Sequence, residues 1–320
     1  MRVVFMGTPE FAVPSLDRLA ADGHDIPLVV TRPDSRRNRR ARSEPSPVKA
    51  RARALGLEVA EPQSAREPAL LERIASLRPD LAVVVAFGKI LPAALLEIPS
   101  RGAVNVHASL LPRWRGAAPI ARAILAGDAV TGVTTMQMEL GLDTGPVLLE
   151  RSCDIAPRET TATLTGRLAV LGADLLAETL PLLARGAITP RPQDESRATW
   201  APPLRREDGR IGWDAPAVEI DRRIRACHPW PVAEAGLRGD RVQILEAEPL
   251  EDREPTDQPA DACEPGWVLR AGESIVVACG GGTRLAVLTL RVPGGRALSA
   301  RDAVNGRLVA RGECFTAPPG

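Results

Sequence analysis

The stretch Leu81–Ala86 (LAVVVA) is apolar at every position, as expected of a strand that is buried on both faces of a sheet. Similar apolar runs occur at Val3–Met6, Ile26–Val30 and Val104–His107, and stretches with helical periodicity lie between them. Buried strands that alternate with helices are typical of α/β proteins. The sequence therefore predicts a doubly wound, mostly parallel, Rossmann-like sheet.

Changes of composition along the chain predict two domains and a linker. The first domain, residues 1–188, ends with the long helical stretch Thr161–Leu183. Residues 189–206 contain four prolines and no clear period, which is typical of a linker. Short β-like runs with glycine-rich turns in residues 207–320 predict a smaller β-barrel. Within it, the acid-rich stretch Glu246–Glu264 is expected to be a solvated loop.

Charge and cysteine usage restrict the function. A net charge of +1 argues against generic nucleic-acid binding, so any such surface must come from local clustering. The five cysteines are scattered without a C-x-x-C pair, and neither a disulfide framework nor a metal site is expected. No apolar run reaches the roughly 18 residues of a membrane helix, and the first strand begins at once. We therefore expect a cytoplasmic protein without a membrane segment.

Two polar residues, Asn105 and His107, occupy one of the apolar strands. Their spacing of two places both side chains on the same face of the strand. Open parallel sheets bind ligands at the carboxyl ends of their strands, and His107 ends this one. A histidine at a strand end can also be a structural residue with satisfied hydrogen bonds. Because buried polar groups need partners, the pair favours a functional site.

The turn Gly141–Gly145 (GLDTG) contributes a candidate carboxylate, Asp143. A D-T-G turn between strands can be explained by backbone geometry alone. Alternatively, a turn at the ligand-binding end of the sheet would bring Asp143 to His107. The spacing does not decide between these alternatives.

Two glycine-containing segments lack the features of a nucleotide-phosphate site. Gly7–Phe11 (GTPEF) follows the first strand but lacks the G-x-G-x-x-G dinucleotide fingerprint. The run Gly280–Gly282 precedes a strand and not a helix, which favours a hairpin turn over a phosphate loop.

A basic segment, Arg36–Arg42, carries five arginines within seven residues. From Thr31 to Arg53 the chain has nine basic and two acidic residues. Such a segment is either a solvated loop or an arm that binds phosphates.

The stretch 105–120 (NVHASLLPRWRGAAPI), together with Gly141–Gly145, resembles the signature of the 10-formyltetrahydrofolate-dependent formyltransferases. The resemblance implies that Asn105, His107 and Asp143 form the catalytic set, and that 10-formyltetrahydrofolate donates the formyl group without a metal. It also implies a folate pocket framed by four consecutive residues: Ser109, Leu110, Leu111 and Pro112.

Four segments are similar to the methionyl-tRNA branch of this family: Phe5–Ala12, Thr31–Lys49, Ile224–Pro231 and Ala297–Asp302. This similarity implies methionyl initiator tRNA as the acceptor, an OB-like second domain that helps to hold tRNA, and no obligate protein partner. Residues 38–42 (NRRAR) depart from the usual G-R-G-K-K but keep the charge. The implied tRNA contacts are Arg36, Arg37, Arg39, Arg40, Arg42 and Lys49.

The implied reaction is attack of the methionyl amine on the formyl carbon, with charge developing on the formyl oxygen. We expect His107 to stabilise this oxyanion and to shuttle the proton, since histidine titrates near neutrality. Asn105 would donate an amide hydrogen bond to the oxyanion, and Asp143 would orient His107. The alternatives are a formyltetrahydrofolate hydrolase, a sugar-amine formyltransferase, and a non-catalytic tRNA-binding protein on the same fold.

Overall fold

The computed structural model describes residues 1–34, 44–250, 263–292 and 294–319. Two compact units make up the chain. The first unit consists of Met1–Pro119, Val130–Asp154 and Leu164–Pro202. The second unit consists of Ile120–Ala129, Ile155–Thr163 and Pro203–Gly320. Two short segments from the first half of the chain thus group with the second unit.

The described residues of the first unit contain strands of two to eight residues. They are β1 (Arg2–Gly7), β2 (Asp25–Val30), β3 (Val59–Ala60), β4 (Leu81–Val85), β5 (Ala103–His107), β6 (Arg115–Gly116), β7 (Val130–Gln137), β8 (Val147–Asp154) and β9 (Trp200–Ala201). The α-helices up to residue 184 are α1 (Val13–Ala21), α2 (Pro47–Ala54), α3 (Pro68–Leu77), α4 (Ala93–Leu96), α5 (Pro119–Ala126) and α6 (Thr161–Ala184).

Seven of these strands form one sheet, in the order β3-β2-β1-β4-β5-β7-β8. The first five strands of that order are parallel, whereas β7 runs antiparallel to both β5 and β8. In β1 the side chains of Val3, Val4, Phe5 and Met6 are all fully buried, so both faces of the sheet are covered. This confirms the predicted doubly wound, mostly parallel sheet.

Helix α6 packs against β5, the strand that carries the polar pair, and α3 packs against the neighbouring strands of the sheet. On one face of the sheet, Leu70 and Ile74 of α3 are spaced by four and bury the same side of the helix. Helix α6 approaches the sheet at Gly172, where a Cβ atom would lie 2.8 Å from Val106 Cγ1. A glycine is therefore needed for this close contact between α6 and β5.

The described residues of the second unit form an antiparallel sheet, and two further α-helices follow α6 along the described chain. The strands of this sheet are β10 (Ala233–Leu237), β11 (Asp240–Leu250), β12 (Val268–Ala271), β13 (Ile275–Ala278), β14 (Arg284–Arg291), β15 (Leu298–Ser299) and β16 (Phe315–Thr316), and the further helices are α7 (Ala217–Ala226) and α8 (Ala300–Asn305). The strand order is β12-β13-β14-β11-β10-β16, and β15 pairs with β14. A bridge between Trp267 and Cys314 joins the two ends of this order, so the sheet curls into the predicted small barrel.

The structure corrects one expectation for the barrel and confirms another. Residues Glu246–Leu250 belong to β11 and not to a loop, because Glu246 and Glu248 alternate with the buried Ala247. The remainder of the predicted acidic loop lies largely outside the described residues. Residues Gly280–Gly282 connect the antiparallel β13 and β14, as predicted for a hairpin turn.

The proline-rich stretch 189–206 forms local structure. It contains a 3-10 turn at Glu195–Arg197 and the strand β9, which pairs in parallel with β6. Through this pairing, Arg115 lies beside Trp200 and Gly116 beside Ala201. Within the described residues, no helix has both the length and the apolar character that crossing a bilayer requires.

Candidate active site

Asn105 and His107 lie on the last three residues of β5, and both are more than 90 % buried. His107 Nε2 is 2.9 Å from the carbonyl oxygen of Trp114. Because a carbonyl oxygen only accepts hydrogen bonds, Nε2 carries the hydrogen of this pair. No hydrogen bond joins the Asn105 amide to another described residue. Its polar end is therefore available for a ligand.

Asp143 lies in the segment between β7 and β8, with a left-handed backbone (φ +54°). Since β7 runs antiparallel to β5 and Gln137 pairs with Val104, this segment starts beside the amino end of β5. The sequence alone leaves open whether a segment that starts there brings Asp143 to His107, at the carboxyl end of β5. The turn folds back along the sheet, and Asp143 Oδ2 lies 3.7 Å from His107 Nδ1. The structure therefore brings the two side chains together.

Backbone groups of the segment Trp114–Gly116 hold both members of this pair. The Trp114 carbonyl accepts the hydrogen bond from His107, and the Gly116 amide donates to Asp143 Oδ2 over 2.9 Å. Gly116 has φ +122°, and a Cβ atom there would lie 2.8 Å from the carbonyl oxygen of Ala201. Only glycine fits this position, because both its backbone angle and its space exclude a side chain.

Gln193 links this segment to the Asp143 turn. Its Nε2 donates hydrogen bonds to the carbonyl oxygens of Asp143, at 2.8 Å, and Gly145, at 2.7 Å. Its Oε1 accepts from Nε and Nη2 of Arg115, at 3.0 and 2.8 Å. The amide thus bridges a guanidinium group and the turn that carries the candidate carboxylate.

Arg115 is 1 % exposed, although it is a cation. Its guanidinium also binds the carboxylate of Glu195 in a bidentate pair, with N–O distances of 2.8 and 2.7 Å. Hydrogen bonds from Arg115 lower the pKa of Glu195. The sequence interpretation missed Arg115, Gln193 and Glu195. The signature segment contains Arg115, but its two partners lie in the stretch interpreted as a linker.

The four residues expected to frame a folate pocket separate into two groups. Ser109 is 1 % exposed, and its hydroxyl donates to the carbonyl oxygen of Arg113 at 2.6 Å, so it holds the loop together. Leu110, Leu111 and Pro112 line a cleft of about 740 Å³. The cleft is also lined by Gln193 and by charged side chains, namely Arg113, Glu150, Arg191, Asp194 and Arg197.

Lys49, one of the expected tRNA contacts, is paired with two carboxylates in the structure. The side chain is 7 % exposed, and Nζ lies 2.5 Å from Asp34 Oδ2 and 2.7 Å from Glu61 Oε2. It extends from the first turn of α2, whose amino end is capped by Ser46. Its ammonium group is therefore buried between two carboxylates, and a tRNA phosphate would have to compete with both of them. The expected contacts Arg36, Arg37, Arg39, Arg40 and Arg42 lie outside the described residues.

Within the described ranges, no three His, Cys, Asp or Glu side chains come together as the ligands of a metal ion would.

Family models match both halves of the chain. The formyl transferase model matches residues 1–180, and the model of the formyl transferase C-terminal domain matches residues 203–308. The chain therefore belongs to the formyl transferase family.

Full-length relatives narrow the family to one branch. The chain is 48 % identical to the methionyl-tRNA formyltransferase of Methylococcus capsulatus, over 97 % of this chain and 98 % of that protein. It is 50 % identical to the methionyl-tRNA formyltransferase of Stenotrophomonas maltophilia, over 96 % and 98 % of the two chains. These likenesses confirm the predicted resemblance to the methionyl-tRNA branch.

A solved structure shares the fold at low identity. HypX from Aquifex aeolicus, in complex with tetrahydrofolic acid, has a TM-score of 0.65 and 18 % identity to this chain. The match covers 97 % of this chain and 48 % of HypX, so this chain spans about half the length of that protein.

Proposed function

We propose that this protein transfers the formyl group of 10-formyltetrahydrofolate to the amino group of methionyl initiator tRNA. The observation that carries the proposal is the His107–Asp143 pair beside the unengaged Asn105 amide, in a chain about half identical to methionyl-tRNA formyltransferases over nearly its full length. Such a tRNA substrate would place the reaction in the cytoplasm. The product is N-formylmethionyl-tRNA, which is used in translation initiation.

The reaction exchanges one C–N bond for another. The methionyl nitrogen attacks the formyl carbon, the bond from that carbon to N10 of the folate breaks, and a proton moves from the attacking to the leaving nitrogen. Nε2 of His107 is engaged by the Trp114 carbonyl, whereas Nδ1 faces Asp143 across 3.7 Å, too far for a hydrogen bond. Nδ1 is therefore the ring nitrogen that can accept the proton and return it.

The charges around His107 support this role. When the imidazole takes up a proton, the Asp143 carboxylate at 3.7 Å stabilises the positive ring. The Gly116 amide, 2.9 Å from the same carboxylate oxygen, keeps Asp143 in place. Asp143 thus acts as a fixed counter-charge while the proton passes through His107.

The Asn105 amide is proposed to stabilise the formyl oxygen as it gains negative charge. It points to the same face of β5 as His107 and has no hydrogen-bond partner among the described residues. A donor that is already in place stabilises the transition state because it does not have to reorganise during the reaction.

The cleft beside Leu110–Pro112 is the proposed folate site. Its volume of about 740 Å³ lies within the range of small-molecule pockets, and its apolar wall suits an aromatic ring system. Arg113, Arg191 and Arg197 provide cations for the glutamate carboxylates of a folate. The shared fold with a protein that has been solved with tetrahydrofolic acid also supports a folate co-substrate.

The direct test offers the protein 10-formyltetrahydrofolate together with methionyl initiator tRNA, an amino sugar nucleotide, or water alone. Formylated methionyl-tRNA should be the main product by acid-gel analysis of the tRNA. A faster rate with the sugar amine, or formate release that is independent of tRNA, would contradict the proposal and support one of the two alternative reactions.

The basic segment Arg36–Arg42 is proposed to contact tRNA phosphates, because its five arginines give it a high local positive charge. Phosphate contacts release counterions, so tRNA binding should weaken steeply as salt increases. Replacement of all five arginines by alanine should flatten that slope and raise the KM for tRNA, while folate binding stays the same. Equal slopes for wild type and variant, measured by filter binding between low and physiological salt, would identify the segment as a solvated loop.

A further inference from the structure

We propose that Gln193 is a positioning residue for formyl transfer, which ties the Asp143 turn to the backbone segment that holds His107. The inference rests on the proposed function, because it concerns the geometry of the same site. Gln193 lies in the proline-rich stretch after α6, which composition alone identifies as a linker. Its side chain, however, reaches the two segments on which the His107–Asp143 distance depends.

The hydrogen bonds of Gln193 use its whole amide. The two hydrogens of Nε2 serve the carbonyl oxygens of Asp143 and Gly145, and Oε1 faces two nitrogens of Arg115. A flipped amide would direct hydrogens at the guanidinium and oxygen at two carbonyls, so one orientation is strongly preferred. Since this arrangement satisfies every donor and acceptor, the side chain is held in a single geometry.

The Asp143 turn needs such support because its backbone is unusual. Asp143 has φ +54°, in the left-handed region, which is uncommon for every residue except glycine even though aspartate and asparagine adopt it more often than most. The two carbonyl groups fixed by Gln193 lie on either side of Thr144, directly after Asp143. Fixing them fixes the direction of the Asp143 side chain, and with it the position of the carboxylate near His107.

On its other side, Gln193 anchors the segment that contacts His107. Its Oε1 accepts from Arg115, and the backbone of the adjacent residues supplies the Trp114 carbonyl to His107 Nε2 and the Gly116 amide to Asp143. Arg115 is itself fixed by the bidentate pair with Glu195. Gln193 therefore connects the segment that holds the His107 imidazole to the turn that carries the Asp143 carboxylate, although it contacts neither the ring nor the carboxyl group.

Two substitutions separate positioning from bulk stability. Gln193→Met keeps the length of the side chain and removes all four hydrogen bonds. Gln193→Glu keeps an acceptor for Arg115 but replaces the two donors by an oxygen that faces two carbonyls. We expect kcat to fall by about 10²-fold in both variants, since a misplacement of about 1 Å costs that much, with a much smaller change in the KM for folate. Gln63→Met, at an exposed glutamine of the first unit, is the matched control.

The decisive measurement repeats Gln193→Met in the Asp143→Ala background, under single-turnover conditions with excess enzyme. If Gln193 acts through Asp143, it should cause little further loss there, because residues that act as a unit are not additive. The same fractional loss in both backgrounds would overturn the inference, as would an effect confined to the KM for folate. A wild-type kcat in Gln193→Glu would also overturn the inference. This variant retains an acceptor for the buried Arg115, so it serves as the test if Gln193→Met fails to fold.

Wild-type protein in the same assay separates this inference from the proposed function. If wild type does not formylate methionyl-tRNA, the proposed function fails. If wild type is active and both Gln193 variants match it, the positioning role alone fails.

Discussion

His107 and Lys49 are two buried basic groups of the first unit, and each lies beside an aspartate. The separations differ: Lys49 Nζ is 2.5 Å from Asp34 Oδ2, whereas His107 Nδ1 is 3.7 Å from Asp143 Oδ2. Lys49 has a second carboxylate, Glu61, at 2.7 Å. Two carboxylates thus share the ammonium group of Lys49, whereas Nδ1 of His107 has no hydrogen-bond partner among the described residues.

The two clusters differ in what holds their charged groups in place. In the lysine cluster, the ammonium group is held directly by two carboxylate side chains, although Asp34 Oδ1 has no hydrogen-bond partner among the described residues. In the histidine cluster, the two side chains are held by backbone groups, from Trp114 and Gly116, and not by one another. A group that is positioned by the backbone can exchange a proton without losing its support.

The largest effect is expected for His107→Ala and Asp143→Ala. Each removes a member of the proposed proton-transfer pair, and a single acid–base group contributes roughly 10²–10⁴ in rate. Steady-state formylation of methionyl-tRNA should fall by that factor while the circular dichroism spectrum stays that of wild type. Asp174→Ala, at a half-exposed aspartate of α6, is the control. A variant that keeps more than about a tenth of wild-type turnover would remove its residue from the mechanism.

Asn105→Ala should have the next largest effect. Loss of one donor to a developing oxyanion costs roughly 10²–10³ in kcat. The matched control is Asn305→Ala, at an exposed asparagine of the second unit. If the change appears only in the KM for folate, Asn105 binds the co-substrate and does not stabilise the transition state.

Lys49→Met should have the smallest effect on turnover and a measurable effect on stability. It leaves Asp34 and Glu61 without their shared cation, but their side chains remain 19 % and 29 % exposed, so we expect a loss of about 1 kcal/mol in the free energy of unfolding. Arg51→Met, on the same helix but in an exposed ion pair, is the control and should change stability by less than about 0.5 kcal/mol. Equal losses in the free energy of unfolding for the two variants, measured with urea, would show that burial of Lys49 adds nothing to stability.

The stability contributed by Lys49 should depend on pH. Hydrogen bonding from Lys49 lowers the pKa of Asp34, and hydrogen bonds to Asp34 and then Glu61 raise the pKa of Lys49. The lowered pKa of Asp34 adds stability above the pKa of an unfolded aspartate, near 3.9, and this stability disappears as the pH falls through the folded pKa. The raised pKa of Lys49 adds stability below the pKa of an unfolded lysine, about 10.4, and this stability disappears as the pH rises through the folded pKa. The difference between wild type and Lys49→Met should therefore be greatest near neutral pH and shrink in acid.

Much of the fold could be predicted because its strands are buried on both faces. The apolar run Leu81–Ala86 corresponds to β4, which ends one residue earlier, at Val85. Strand β10 is hard to recognise from its sequence, AEAGL, which contains none of the β-branched or aromatic residues that favour strands. In β11 the acidic composition suggested a loop, although the alternation of Glu246, Ala247 and Glu248 follows a strand.

The site could be predicted only in part. The shared face of Asn105 and His107 follows from their spacing in one strand. The approach of Asp143 did not, because it depends on a turn that folds back from an antiparallel strand. The contacts of Gln193 and Glu195 with Arg115 span 78 and 80 residues of sequence, and no local periodicity indicates such pairs.

Gly116 has a consequence for how this sequence tolerates change. In a saturation screen for growth that depends on the enzyme, every substitution at this codon should be depleted as strongly as substitutions at His107, although residue 116 offers no side chain for chemistry. The reason is its φ of +122° together with the 2.8 Å from a Cβ atom to the Ala201 carbonyl oxygen. Such a screen would mark a position that contributes through its backbone alone, and a catalogue of functional side chains would leave it out.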